Sequence, residues 1–389
     1  RAYTERRTSG TVRSCRMHTI SVGRRPARPM RSVQNTTVLF VTGHTGHTLS
    51  RVERGWLALM DSLVAERANV LLVTAPRGPL TGPARALGVT TVPGRVDRFN
   101  IWITRNRLRA YLKRHQPSVA FATDYRADIP LRLAARGLPV KVVSATHCGG
   151  WPVKGVGAPS TWGRRWMERR TRGRVDAYSV DCASLAEKMA ADDIPVERIR
   201  VIPPGIDIAA VARDAAVVVD LPEGRPVVGY AGALEHSRGL STLAAAMPAI
   251  RERHPGARGV VAGEGIGRLA LLPASLDGRL DLLGRVPSVP AVLSALDVCV
   301  FPSSEPGVPT TLLEAAALGR PIVACDVPGI REAFTSGVEV IVVPRGDAAA
   351  LASAICQLLD EPERARALGQ AARLRVIDDY SATAAAREG

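Results

Sequence analysis

The sequence predicts an α/β protein made of two doubly wound domains. Three observations predict it. The chain has 389 residues, 46% of them apolar, enough for two packed cores of ordinary size. From residue 38 onward, short apolar runs alternate with longer stretches of helical periodicity. A Pro203-Pro204-Gly205 turn then interrupts the series, and a second series follows. Such alternation means parallel strands with helices on both faces.

The elements follow in order. Val38–Thr42 reads as a buried strand, and Gly43 to Thr48 as a Gly/His loop. A helix over about 50–67 carries Trp56, Leu57, Met60 and Leu63 at helical spacing. Strands are expected at 70–74, 118–123, 140–145, 175–180 and 199–202. Residues 207–225 are polar with little periodicity and read as the connector. The second series has strands at 226–231, 259–262, 297–301, 321–325 and 339–343. A last helix over about 363–388 follows Glu361-Pro362. The resulting division is a basic tail over 1–31, expected to be disordered, a first domain over 32–204, a second over 205–365, and a C-terminal helix over 366–389 that packs back on the first domain.

Charge and cysteine narrow the class. The net charge is +16, but two runs hold most of the excess. Residues 1–31 carry nine arginines and one acid, Glu5, while residues 163–174 carry six arginines and Glu168. The rest of the chain is nearly neutral, which argues against a broad nucleic-acid face. Aromatic residues are only 4%, too few for base-stacking platforms. No run of 18 uncharged apolar residues exists, so no membrane-spanning helix is expected. The six cysteines form no C-x-x-C and fit no zinc spacing, so no metal centre is expected and a reducing, cytoplasmic setting is.

Ser303 to Gly329 is the most informative segment. A Pro/Gly loop carries Glu305, and a helix opens near Pro309 with Glu314 one turn in. Proline suits the first turn of a helix because its absent N–H would be unpaired there. Thr310, Thr311 and Leu312 then present amides at the positive end of the helix dipole, an end suited to phosphate. Glu314 lies near enough to accept from a ribose whose phosphates sit on those amides. The competing reading is an ordinary strand–loop–helix unit with a solvated Glu. Two further strand ends carry glycine. Gly232 is followed by Arg238-Gly239, and an Arg fork holds phosphate oxygens well. Gly263-Glu264-Gly265 is a G-x-G, but position 268 is Arg, so the dinucleotide fingerprint is incomplete. Gly43 and Gly46 lie after the first strand, with no Lys-Ser/Thr to make a P-loop. His147-Cys148-Gly149-Gly150 follows the strand at 140–145, at the strand end where α/β sheets place ligands.

Together these motifs resemble the retaining glycosyltransferases of family 4, which have the GT-B fold, two Rossmann-like domains facing a central cleft. Their pattern is Glu, seven residues, then Glu-Ala in a small-residue helix. Glu314-Ala315-Ala316 and Gly319-Arg320-Pro321-Ile322-Val323 fit its second half. Glu305 to Glu314 encloses eight residues, one more than the family spacing. Arg238-Gly239 matches a Lys–Gly pair, and Ala233 stands where the first cation usually stands. The turn at 202–207 resembles the interdomain hinge, with Pro204 where Asn is common.

The resemblance implies a nucleoside-diphosphate sugar donor, UDP by default, and transfer to an acceptor hydroxyl or amine with retention. Glu314 would hold ribose; Arg238, Thr310 and Thr311 the diphosphate; Glu305 and His147 the sugar. The glycines at 43, 46, 232, 263 and 265 would line the donor, and no metal cofactor would be needed. The acceptor would bind the first domain, where Asp124, Tyr125 and Arg126 follow a strand. Alternatives are an NAD(P)-dependent oxidoreductase and a non-catalytic sugar-nucleotide-binding protein with a degenerate site. Residues 160–174 place Trp162 and Trp166 at i and i+4 among arginines. They read as a peripheral contact with anionic lipid on the inner membrane face, or as a solvated basic helix with its tryptophans on the core.

Overall fold

A computed structural model describes residues 34–43, 51–94, 96, 100–146, 160–305, 307–381 and 384. The tail at 1–31, the loop at 44–50 with Gly46, and the segment 147–159 with His147 lie outside the described residues.

The first half alternates as expected: β1 (Thr37–Val41), α1 (Arg51–Ala65), β2 (Asn69–Thr74), α2 (Thr81–Ala86), β3 (Thr90–Pro93), α3 (Ile101–His115), β4 (Val119–Ala122), α4 (Tyr125–Ala134), β5 (Lys141–Thr146), α5 (Ser160–Thr171), β6 (Ala177–Val180), α6 (Ala183–Ala191) and β7 (Ile199–Val201). These strands form one seven-stranded parallel sheet in the order β3-β2-β1-β4-β5-β6-β7. The second half continues with α7 (Ile208–Ala215), β8 (Val227–Ala231), α8 (Leu240–Arg253), β9 (Arg258–Ala262), α9 (Arg268–Leu276), β10 (Asp281–Gly284), α10 (Val289–Ala295), β11 (Val298–Phe301), α11 (Thr310–Ala317), β12 (Ile322–Cys325), α12 (Pro328–Ala333), β13 (Ile341–Val343), α13 (Ala348–Asp360) and α14 (Pro362–Tyr380). Its six strands are parallel in the order β10-β9-β8-β11-β12-β13.

The central strands are largely apolar because each sheet is covered on both faces. The centre of β1 and all of β8, β11 and β12 are buried. Two strands escaped the sequence reading, β3 and β10. Both are edge strands, TTVP and DLLG, without a fully buried run to announce them. The connector needs a correction as well. Residues 208–215 form α7, capped by Asp207, whose carboxylate accepts from the Ala210 N–H at 2.9 Å. Val211 is buried, and α7 packs against α10 and α11 in the second half. Its short, Ala-rich sequence hides the periodicity.

The second half has one continuous apolar core, from Ile206 to Tyr380. The helix expected over 363–388 is α14, ending at Tyr380, and its buried Ala365, Leu368, Ala372 and Val376 belong to that core. The first half has three clusters: beneath α3 and α4, beneath α1 and α2, and between β6 and α6. Between α4, α5 and the sheet lies a buried charge cluster. Arg132 is fully buried and bonds both Asp128 oxygens through Nε and Nη2, at 2.8 and 2.5 Å. Its Nη1 reaches Glu168 Oε1 at 2.6 Å, and Ser144 on β5 joins at 3.1 Å. Tyr178 donates to Glu168 at 3.2 Å beneath the guanidinium. Burial pushes the Asp128 carboxyl above its ordinary value, with Arg132 and the Ser144 hydroxyl pulling against it. No helix among the described residues is long and apolar enough to cross a membrane.

Candidate functional site

In a doubly wound sheet, ligands bind outside the carboxyl ends of the strands, where the strand order reverses. In the second sheet that point lies between β8 and β11. Gly232 follows β8, and the loop 302–309 follows β11 and opens α11. The backbone there is held by close approach. Gly232 has φ +151, and a Cβ on it would stand 2.7 Å from the Tyr230 hydroxyl and 3.2 Å from Thr311 Cγ2. Gly232 therefore lies directly against the first turn of α11.

The neighbouring strand end is stitched to the same turn. The Gly232 N–H donates to Ala262 O at 3.0 Å, Leu234 N–H to Glu264 O at 2.9 Å, and Gly267 N–H to Leu234 O at 2.8 Å. Gly263 and Gly265 have φ of +133 and +156, and Cβ atoms on them would stand 1.8 Å from Gly232 O and 2.2 Å from Leu234 O. The G-x-G thus has a purpose other than a dinucleotide fingerprint. Two backbones run so close that no side chain fits between them.

Arg238 and Glu305 meet. Residues 236–238 form a single 3-10 turn rather than the start of a helix. Gly239 follows at φ +63, where a Cβ would stand 2.0 Å from Pro302 O. This contact draws the 235–239 loop onto the 302–305 loop. Arg238 Nη1 pairs with Glu305 Oε2 at 3.0 Å, and Ser237 Oγ donates to Glu305 Oε1 at 2.7 Å. Ser304 N–H donates to Ser237 O at 2.9 Å. Ser237 is a partner that sequence reasoning does not find. Its place between His236 and Arg238 gave no sign of a partner 68 residues away.

Pro309 caps α11, and Glu314 is 4% exposed within it. Thr310 and Thr311 occupy the first turn, whose amides have no carbonyl within the helix to bond. Leu312 differs from expectation. Its N–H already donates to Pro309 O at 2.9 Å, and its side chain is fully buried. One edge of the second sheet therefore gathers Gly232, Gly263, Gly265, Arg238, Glu305, Thr310, Thr311 and Glu314. A cation, two helix-end amides and a buried carboxylate share this edge with glycine-lined backbone. Such a set can hold a polyanion joined to a hydroxyl-bearing group.

In the first sheet the order reverses between β1 and β4. Gly43 follows β1, and its N–H donates to Asp124 Oδ2 at 2.6 Å. Asp124 caps α4 through the Arg126 and Ala127 amides at 2.8 and 3.1 Å. Its carboxylate thus has a structural task at this strand end. A Cβ on Gly43 would stand 2.6 Å from Arg126 Cβ.

The two sheets meet through Glu332 on α12. Its carboxylate caps α6, accepting from Ala183 N–H at 2.7 Å and Ser184 N–H at 2.8 Å. Both helices follow strand carboxyl ends, so these edges face each other across the molecule. Beside this contact opens a cavity of about 550 Å³ lined by Ser184, Glu187, Lys188, Arg331 and Glu332. None of the residues anticipated from sequence lines it. On the outer face, Trp166 is 51% exposed with the Arg170 guanidinium 5.4 Å over its ring, so it does not pack on the core.

The comparisons with known proteins divide along the same two halves. Residues 52–210 match the family model Glycosyltransferase Family 4, and residues 225–361 match Glycosyl transferases group 1. The chain is 32% identical over 237 residues to 2-deoxystreptamine N-acetyl-D-glucosaminyltransferase of Streptomyces fradiae, covering 56% of this chain and 54% of that protein. It is 29% identical over 283 residues to glycogen synthase of Mycobacterium tuberculosis, covering 68% and 66%. The chain thus spans between about half and two thirds of these two relatives. Among solved structures, Anabaena HepE in complex with UDP superposes at a TM-score of 0.72, with 15% identity over 90% of this chain and 97% of that one. Sucrose-phosphate synthase of Thermosynechococcus elongatus superposes at 0.71, with 20% identity over 90% and 96%. Nothing among these relatives supports a nicotinamide oxidoreductase. With both halves matched in sequence and both sheets in topology, the chain belongs to the family 4, group 1 glycosyltransferases of the GT-B fold.

Proposed function

We propose that the protein transfers a sugar from a nucleoside-diphosphate sugar, with UDP as the carrier, to an acceptor hydroxyl or amine with retention at the anomeric carbon. One observation carries the proposal: Gly232, Arg238, Thr310, Thr311 and Glu314 gather at the strand-order reversal of the second sheet. The resemblance to HepE, whose structure holds UDP, supports the choice of nucleotide.

In this reading Glu314 accepts from the ribose hydroxyls, and Arg238 with the Thr310 and Thr311 amides takes the diphosphate. Their fixed charge stabilises the leaving group without a metal ion. The bond from C1 to the leaving phosphate oxygen breaks with its electron pair on phosphate. The acceptor oxygen or nitrogen bonds to C1 from the same face, and its proton passes to that phosphate oxygen. Glu305 and His147 orient the sugar. The first domain, over 32–204, receives the acceptor, and rotation about the turn that precedes α7 closes the cleft against water.

The test is a thermal-shift panel of UDP, GDP, ADP and dTDP with their sugars. A ligand that binds only the folded state raises the melting temperature. UDP ligands should stabilise most. Glu314→Ala should lower UDP affinity by roughly ten- to a hundredfold, the worth of a lost hydrogen bond to a charged group. If UDP ligands gave no shift, or Glu314→Ala bound them equally well, the proposal would fall.

The exposed Trp166 favours a second element: cytoplasmic residence with α5 resting on anionic lipid. Co-sedimentation with phosphatidylserine vesicles should fall when Arg169 and Arg170 become Glu, by roughly 1 kcal/mol per arginine. Unchanged sedimentation removes it.

A further inference from the structure

We propose that Glu305 acts as an internal stand-in for the donor's diphosphate: it occupies Arg238 while the site is empty and is displaced when the donor arrives. The inference rests on the donor reading above and adds a competition within it.

Three observations carry it. Both Glu305 oxygens are committed to the 235–239 loop, one to Arg238 at 3.0 Å and one to Ser237 at 2.7 Å. The pair is half-buried, with side-chain exposures of 21% and 23%, so it is neither solvent-screened nor sealed from a ligand. Arg238 is not saturated, since its Nε is buried and donates to no described atom.

The spacing gives the reason. Eight residues separate Glu305 from Glu314, one more than the pattern this segment resembles. The longer loop, drawn in by Gly239 against Pro302, delivers the carboxylate to the guanidinium. An aspartate or glutamate carboxylate and a phosphate present similar oxygen pairs to an arginine fork. A diphosphate carries more charge and gains the α11 amides too, so it prevails. Release then frees one Glu305 oxygen for a sugar hydroxyl. Arrival of the diphosphate thus readies the sugar-binding carboxylate, and loss of UDP resets it. Glu305 is in this respect a positioning residue acting through Arg238.

Calorimetric titration of wild type, Glu305→Gln, Arg238→Ala and the double variant with UDP and with uridine tests this. Glu305→Gln keeps the shape and removes the competing charge. It should tighten UDP about two- to fivefold, the range of a partly exposed ion pair. Uridine, which has no phosphate to compete, should bind unchanged. Arg238→Ala should weaken UDP, and Glu305→Gln should then have no further effect. If Glu305→Gln leaves UDP affinity equal or weaker while Arg238→Ala still weakens it, the competition is refuted and the donor site stands. If Arg238→Ala leaves UDP unaffected, the donor reading fails with it. Should Glu305→Gln not fold, Ser237→Ala, which loosens the carboxylate from its second anchor, should also tighten UDP. Weaker or equal binding there overturns the idea.

Discussion

The two halves share an architecture and hold it together by different means. The second half packs a single apolar core, and its strand ends are locked by glycines whose neighbours leave no room for a Cβ. The first half divides its apolar core into three clusters and ties α4, α5 and two strands through a buried arginine. The difference teaches what each edge must do. On the proposed reading, a site that would hold phosphate on backbone amides needs its backbone closely placed. Tight glycine contacts provide that. Helices away from such a strand end can be fixed by side chains, and one buried cation serving two carboxylates suffices.

Breaking each device should harm its own half. Arg132→Ala leaves Asp128 and Glu168 buried without their counter-ion, a loss of roughly 3–5 kcal/mol. Calorimetry should show the first half melting early while UDP still raises the transition of the second. Loss of UDP binding in step with Arg132 would erase the distinction. Gly263→Ala is the smaller blow to stability, roughly 2–3 kcal/mol for backbone forced from its place. It should abolish most UDP affinity while leaving the first half's transition untouched. Normal UDP binding by this variant would show that the close approach of 232 and 263 is not what shapes the site.

Much of this was legible in the sequence, for local reasons. Continuous apolar runs announce doubly covered strands, and Pro309 followed by Glu314 announces a helix start and its nearby acid. What was missed depends on distance in the chain. Glu168 read as one acid in a basic run, yet it turns inward to Arg132, 36 residues away. Gly263 and Gly265 stand out as a motif, but only the carbonyls of Gly232 and Leu234 explain them. The spacing anomaly at Glu305 was visible too, and its meaning needed Arg238 and Ser237 beside it. Leu312 shows the opposite error. Helix geometry alone leaves its amide free, but the tight first turn of α11 bonds it to the Pro309 carbonyl.

The Glu332 cap on α6 bears on motion. Two charge-assisted bonds join a carboxylate of one lobe to the dipole of a helix in the other. Any swing that parts the lobes at this point must first strip both amides and hand them to water. Because both bonds are exposed, water can take over each amide as it is released, and the cap joins the lobes without barring their separation.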